Sequence, residues 1–200
     1  GEGEGFFRLV KSPEEAREVI KAGKLAVLLG IETSNLFDCY VTQRGERPTC
    51  DLAHLERSLE EVYELGVRVL FPVHKLDNAF SAGDGHRGVI EIANLVNSGH
   101  YSNFVQDCPT DSPRRFDHGP VVFGGLNQPR QDYSAPPLLE GERYGEAPLP
   151  TLLPYLSQLQ EGPLEGEWCQ AHGLTPLGER LLLMMMQRGM LIELDHFPRK

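Results

Sequence analysis

No apolar run in this sequence approaches the roughly 20 residues that a membrane-spanning helix needs. The longest, Leu25 to Leu29 and Leu181 to Met186, stop far short, so no transmembrane segment is expected and the chain reads as soluble. Positive charge is scarce too. Nineteen Lys and Arg stand against 29 Asp and Glu, a formal net charge of −10, and no basic stripe gathers the cations. Phosphate binding needs concentrated Lys and Arg, which excludes nucleic acid and anionic membrane surfaces as partners. There is no CxxC pair among Cys39, Cys50, Cys108 and Cys169, which argues against a structural zinc knot. No GxGxxG or GxxxxGKS follows any predicted strand, so a nucleotide site would lack its phosphate cradle. The opening "GEGEGFF" has no charged-then-apolar leader, an absence that decides nothing about export.

What is present is an ordinary globular composition, 40% apolar and 24% charged over 200 residues, enough for one domain with a real core. "SPEEAREVIKAG" predicts a helix with Ser12 as N-cap, Pro13 at the first position, Glu15 where a capping box wants it and Gly23 as the stop. "KLAVLLGIE" follows as a strand buried on both faces, as parallel strands are, with Glu32 at its C-terminal end. "DLAHLERSLEEVYELG" places Leu52, Leu55, Leu59 and Val62 on one helical face between Asp51 and Gly66. A second apolar strand, "VRVLFPVH", ends on His74, and "GVIEIANLVNSGHY" reads as a further helix.

From 109 to 166 the chain is rich in Pro and Gly and weakly periodic, a long irregular excursion rather than a second domain. "LTPLGERLLLMMMQRG" then restores a helix from Thr175 and Pro176 to Gly189, with Met184 to Met186 as core. A buried strand, Met190 to Leu194, delivers Asp195 and His196. Helix, strand, helix, strand, excursion, helix, strand is the pattern of crossover units on a parallel sheet, and a single α/β domain over 1–200 of the (β/α) barrel kind fits it.

Glu32, His74 and the pair Asp195/His196 each lie at or just past the end of a predicted parallel strand. In such a barrel those ends share one rim, where catalysis takes place. Carboxylate and imidazole together are a ligand set for zinc and similar ions. Taken singly, each has a plainer reading: Glu32 as a helix cap or solvated loop group, His74 as a hydrogen-bonded rim residue. Along an extended segment Asp195 and His196 face opposite ways, so only one points inward. His54, His86, His100, His118 and His172 are expected to be solvated. Among the cysteines, a Cys39–Cys50 disulfide across "YVTQRGERPT" is the favoured pairing, against four buried thiols.

"LAVLLGIETSN", "VYELGVRVLFPVHKLDNAF" and "GLTPLGERLLLMMMQRGMLIELDH" resemble the membrane (renal) dipeptidase family of metallopeptidases, and more closely a secreted bacterial branch of it. The resemblance covers roughly residues 20 to 100 and 172 to 197. It implies a (β/α)8 TIM-type barrel with a binuclear zinc centre that cleaves a dipeptide or related small amide by zinc-activated water. Glu32 matches the bridging carboxylate, His196 a zinc ligand, and His74 the histidine that contacts substrate and polarises the scissile carbonyl. The sequence departs from the family pattern, whose second zinc histidine and whose Arg and Asp for substrate and catalysis are expected downstream of these residues. The family's HxD pair occurs nowhere in these 200 residues, Thr33, Ser34 and Asn35 replace a Gly-Gly-His context, Glu193 replaces an Asp, and Asp195 stands where a small residue is usual.

On this reading the chain is part of a barrel, truncated after its third rim-bearing strand. Alone it is expected to be inactive for want of ligands and to expose apolar strand edges. The complete protein is expected to be secreted, periplasmic or cell-surface, with room for a homodimer. The alternative is a non-catalytic secreted binding module on a degenerate dipeptidase-like barrel.

Overall fold

The computed structural model describes residues 5–41, 50–83, 93–94, 97, 104–105, 169–170 and 173–198. They form β1 (Phe7–Leu9), α1 (Pro13–Lys21), β2 (Leu25–Val27), β3 (Leu29–Ile31), α2 (Leu52–Glu64), β4 (Val67–Leu70), β5 (Phe104–Val105), β6 (Cys169–Gln170), α3 (Pro176–Gln187) and β7 (Leu191–Ile192). The excursion at 109–166 lies outside the described residues, as do His86, His100, His118 and His172. Of the helix expected over 88–101, residues 93, 94 and 97 are described and are helical.

Each long helix begins where its capping chemistry places it. The Ser12 hydroxyl accepts from Glu15 N at 3.1 Å, the Asp51 carboxylate from His54 N at 2.8 Å, and the Thr175 hydroxyl from Gly178 N at 3.0 Å. Glu15 returns the favour one residue early, to Lys11 N at 2.6 Å rather than to the cap itself. Gly23, Gly66 and Gly189 follow the helices with φ of 70°, 103° and 65°, a region that L side chains rarely adopt.

β1 pairs in parallel with β2, while β3, β4 and β7 form a three-stranded parallel sheet in that order. Only Leu28 separates β2 from β3, so one extended run pairs with β1 over its first half and with β4 over its second. β5 and β6 are antiparallel. Among the described residues the architecture is mixed α/β with small parallel sheets, and no closed barrel forms. The core lies between the sheet and two helices: Leu55 and Leu59 of α2 and Leu181, Met184 and Met185 of α3 pack with Val67, Leu70, Leu36, Cys39, Phe80 and Met190. Burying each such side chain contributes about 1.5–3 kcal/mol before entropy is counted.

Several expectations are corrected. The predicted strands "KLAVLLGIE" and Met190 to Leu194 are not buried throughout: Leu25 is 50% exposed, Leu191 57% and Leu194 60%. A continuous apolar run is buried twice over only when layers cover both sides of the sheet, and among the described residues no layer covers these side chains. Leu52 (39% exposed) sits in the first turn of α2, off the packed stripe, and Met186 (64%) points away from the core that holds Met184 and Met185.

Cys39 and Cys50 form the expected disulfide, with Cα atoms 5.2 Å apart. It draws the 36–39 turn onto the start of α2, where His54 Nε2 donates to the Phe37 carbonyl at 2.9 Å. His54 is therefore half-buried and engaged rather than solvated. Phe37 and Asp38 hold φ of 58° and 56° in this turn, and Phe37 packs edge-on against Phe80.

Two stability measurements follow. Closing an 11-residue separation constrains the unfolded chain, so reduction, or a Cys39→Ala/Cys50→Ala pair, should cost about 2–3 kcal/mol in urea denaturation. A Cβ on Gly178 would run into the Phe80 carbonyl and lie 2.7 Å from Leu174 Cδ1. Gly178→Ala should lower stability by about 3 kcal/mol in the same assay, although Ala favours helices.

Candidate metal centre

The parallel ladder decides where the polar side chains emerge. Phe71 N donates to Ile31 O at 3.1 Å and Glu193 N to Leu70 O at 3.0 Å, which carries the C-terminal ends of β3, β4 and β7 forward together. Glu32 leaves β3 at once. His74 follows β4 by four residues, and His196 follows β7 by four. The three side chains converge: Glu32 Oε1 lies 3.1 Å from His74 Nε2 and 3.5 Å from His196 Nε2. The two imidazoles meet edge to face with centroids 4.5 Å apart. One donor atom from each residue lies within 4.8 Å of the others.

The surroundings differ from one side chain to the next. Glu32 is half-exposed, whereas the His196 side chain is 14% exposed and tilted against Phe71 at 6.0 Å. His74 Nδ1 approaches the Ser34 hydroxyl at 3.4 Å. His196 Nδ1 is buried and, among the described residues, has no hydrogen-bond partner. Asp195 is exposed and stands apart. The expectation that the strand would alternate their facings assumed extended backbone, but Asp195 and His196 occupy a turn closed by Phe197 N to Leu194 O at 3.1 Å.

One carboxylate and two imidazoles are three protein ligands of the N/O type that zinc accepts, and three is the number catalytic zinc sites use. The donor set fits the ion. It holds one more ligand-capable group at the rim than the pairing of Glu32 with His196 alone, because His74 joins them directly. The other cluster of donor atoms, Cys39, Cys50 and His54, has its sulfurs committed to the disulfide.

No family model, curated protein or solved structure matches the chain. The functional reading therefore stands on the residues at the rim and on the motif resemblance.

The sequence reading passed over the polar residues behind the rim. Asp77, Asn78, Ser81, Asn94 and Asn97 are all at most 5% exposed. Asp77 accepts from Gly83 N and from the Asn94 amide at 2.9 and 3.2 Å, and Asn35 and Asn97 exchange reciprocal amide bonds at 2.8 and 3.1 Å. The available signal was the "LDN" just after a strand ending in His, polar residues placed where loops usually meet water.

Removing a ligand tests the centre directly. Zinc affinity, measured by chelator competition, should fall in His196→Ala by more than the roughly 10–100-fold that loss of an outer-shell partner costs. Asp195→Ala should bind as the parent does, and equal binding by both variants would refute the assignment of His196.

Proposed function

We propose that the protein is a zinc-dependent hydrolase of the dipeptidase type, acting on a dipeptide or related small amide, built on a (β/α)8 barrel of which the described strands are one arc. The observation that carries this is the meeting of Glu32, His74 and His196 at the shared end of three parallel strands. The barrel reading is supported by parallel strands that neighbour one another in chain order, each pair separated by a helix or a long connection. A zinc ion in such a site lowers the pKa of bound water to near 7 and polarises a carbonyl.

The chain's own residues have separable tasks. Glu32, with its oxygen within 3.5 Å of both imidazoles, would hold the metal together with His196. His74 Nε2 lies 3.1 Å from that carboxylate, where a ring N–H would be the donor, since an ionised carboxylate only accepts. The same N–H is placed to polarise an amide carbonyl and to stabilise the charge that grows on its oxygen. Ser34 at Nδ1 helps to set the ring's orientation. A binuclear centre as in the dipeptidases needs ligands beyond Glu32 and His196.

The net charge of −10 fits a small neutral or cationic substrate better than a polyanion. The Cys39–Cys50 disulfide supports a secreted, periplasmic or cell-surface setting, since such bonds persist in oxidising compartments.

The test is hydrolysis of a dipeptide panel by the zinc-loaded, full-length gene product. Activity should vanish on chelation and return with zinc, and Glu32→Gln should reduce it to background while the fold is kept. Hydrolysis that survives both treatments would remove this function.

A further inference from the structure

Two loops have to be held against each other for the rim to work: the one that follows β3 with Glu32, and the one that follows β4 with His74. The residue between them is Asn78, which is fully buried. Its amide donates to Ser34 O at 3.0 Å and to Pro72 O at 2.9 Å. Ser34 lies two residues after Glu32, and Pro72 two residues before His74. The amide oxygen accepts from Phe80 N at 2.8 Å and Ser81 N at 3.1 Å. Two donor hydrogens and two acceptor sites are all that an Asn side chain offers, so every one is used. Reversing the amide would set oxygen against two carbonyls and NH2 against two N–H groups, so the partners dictate its orientation.

The backbone of the same residue adds to the join. Asn78 bridges Tyr40, its N–H donates to Ser81 O at 3.0 Å, and the neighbouring Ala79 N donates to Cys39 O at 3.0 Å. The side chain thus rests on a closed 78–81 turn that is tied to the disulfide-bound loop. From that support it reaches out to one carbonyl in each of the two ligand-bearing loops.

We propose that Asn78 is a positioning residue for the metal centre, setting the separation of the Glu32 carboxylate from the His74 imidazole by bridging the loops that carry them. This rests on the zinc-hydrolase reading given above. Asn78 touches neither metal nor substrate. It acts through the backbone at Ser34 and Pro72, and its loss would let the two loops part while the strands below stay paired.

The two halves of the amide can be tested separately. Asn78→Asp keeps the oxygen that accepts from Phe80 and Ser81 but turns the bridging donors into a second oxygen facing two carbonyls. Asn78→Ser, smaller and uncharged, removes the span without burying charge. Thr175→Ala is the control, because the Thr175 hydroxyl bonds the adjacent Ala79 and Phe80 carbonyls, at 2.6 and 3.1 Å, without reaching either ligand loop. In the full-length gene product, zinc affinity is read by chelator competition, ligand geometry by the visible spectrum of the cobalt-substituted protein, and stability by thermal unfolding of the metal-free form.

Both Asn78 variants should bind zinc about 10- to 100-fold more weakly and shift the cobalt spectrum. Thr175→Ala should lose stability yet keep zinc affinity within about twofold of the parent, well short of that range. Zinc binding at parental affinity in both Asn78 variants would overturn the inference and leave the metal centre standing, as would an equal loss of affinity in Thr175→Ala. Absence of zinc binding in the parent protein itself would overturn the hydrolase reading, and this inference with it.

Discussion

The hydrogen-bonded register of β3, β4 and β7 is the constraint on which the site depends. Parallel strands run the same way, so whatever follows each of them emerges on the same side of the sheet. Three short segments far apart in the chain therefore present their next polar groups to one small volume. Antiparallel pairing would have sent the side chains following β4 to the opposite end. The ladder itself is only two or three residue pairs deep, and so its precision has to come from what is packed around it.

That packing is of two kinds. On one side the apolar faces of α2 and α3 hold the sheet through Leu55, Leu59, Leu181 and Met185, all inaccessible to solvent. Above the strand ends the medium is polar: Asp77, Asn78, Asn94 and Asn97 replace solvent with fixed hydrogen bonds. Buried polar groups are costly unless satisfied, and a satisfied network specifies one arrangement of its loops. A rim that must place a carboxylate between two imidazoles benefits from that rigidity more than from further apolar bulk. The disulfide serves the same end by fixing the loop that follows Glu32 to the first turn of α2. The convergence of a carboxylate and two imidazoles is the physical basis of the hydrolase proposal.

Much of the scaffold was legible in the sequence because its signals are local. Ser12, Asp51 and Thr175 start helices through hydrogen bonds that span three residues, and Gly23, Gly66 and Gly189 end them through backbone dihedrals of a single residue. The apolar runs told of strands for the same reason. They did not tell how much of each strand would be covered, since hydrophobicity records what a residue prefers and not which layer reaches it. Leu191 and Leu194 show the difference. His54 shows the converse, a polar side chain drawn out of solvent by a carbonyl 17 residues away in sequence.

By itself the sequence determined the helices and their limits, the apolar strands between them and the strand-end candidates Glu32, His74 and Asp195/His196, with Cys39–Cys50 as the favoured disulfide. Periodicity, capping and loop chemistry act over a few residues and are written in order along the chain. The tertiary structure alone decided that those three side chains meet, that His196 and not Asp195 is the one turned inward, and that Asn78 joins the loops behind them. Each of these depends on distances between residues far apart in the chain, which strand register and a closed turn set, and no local pattern encodes them.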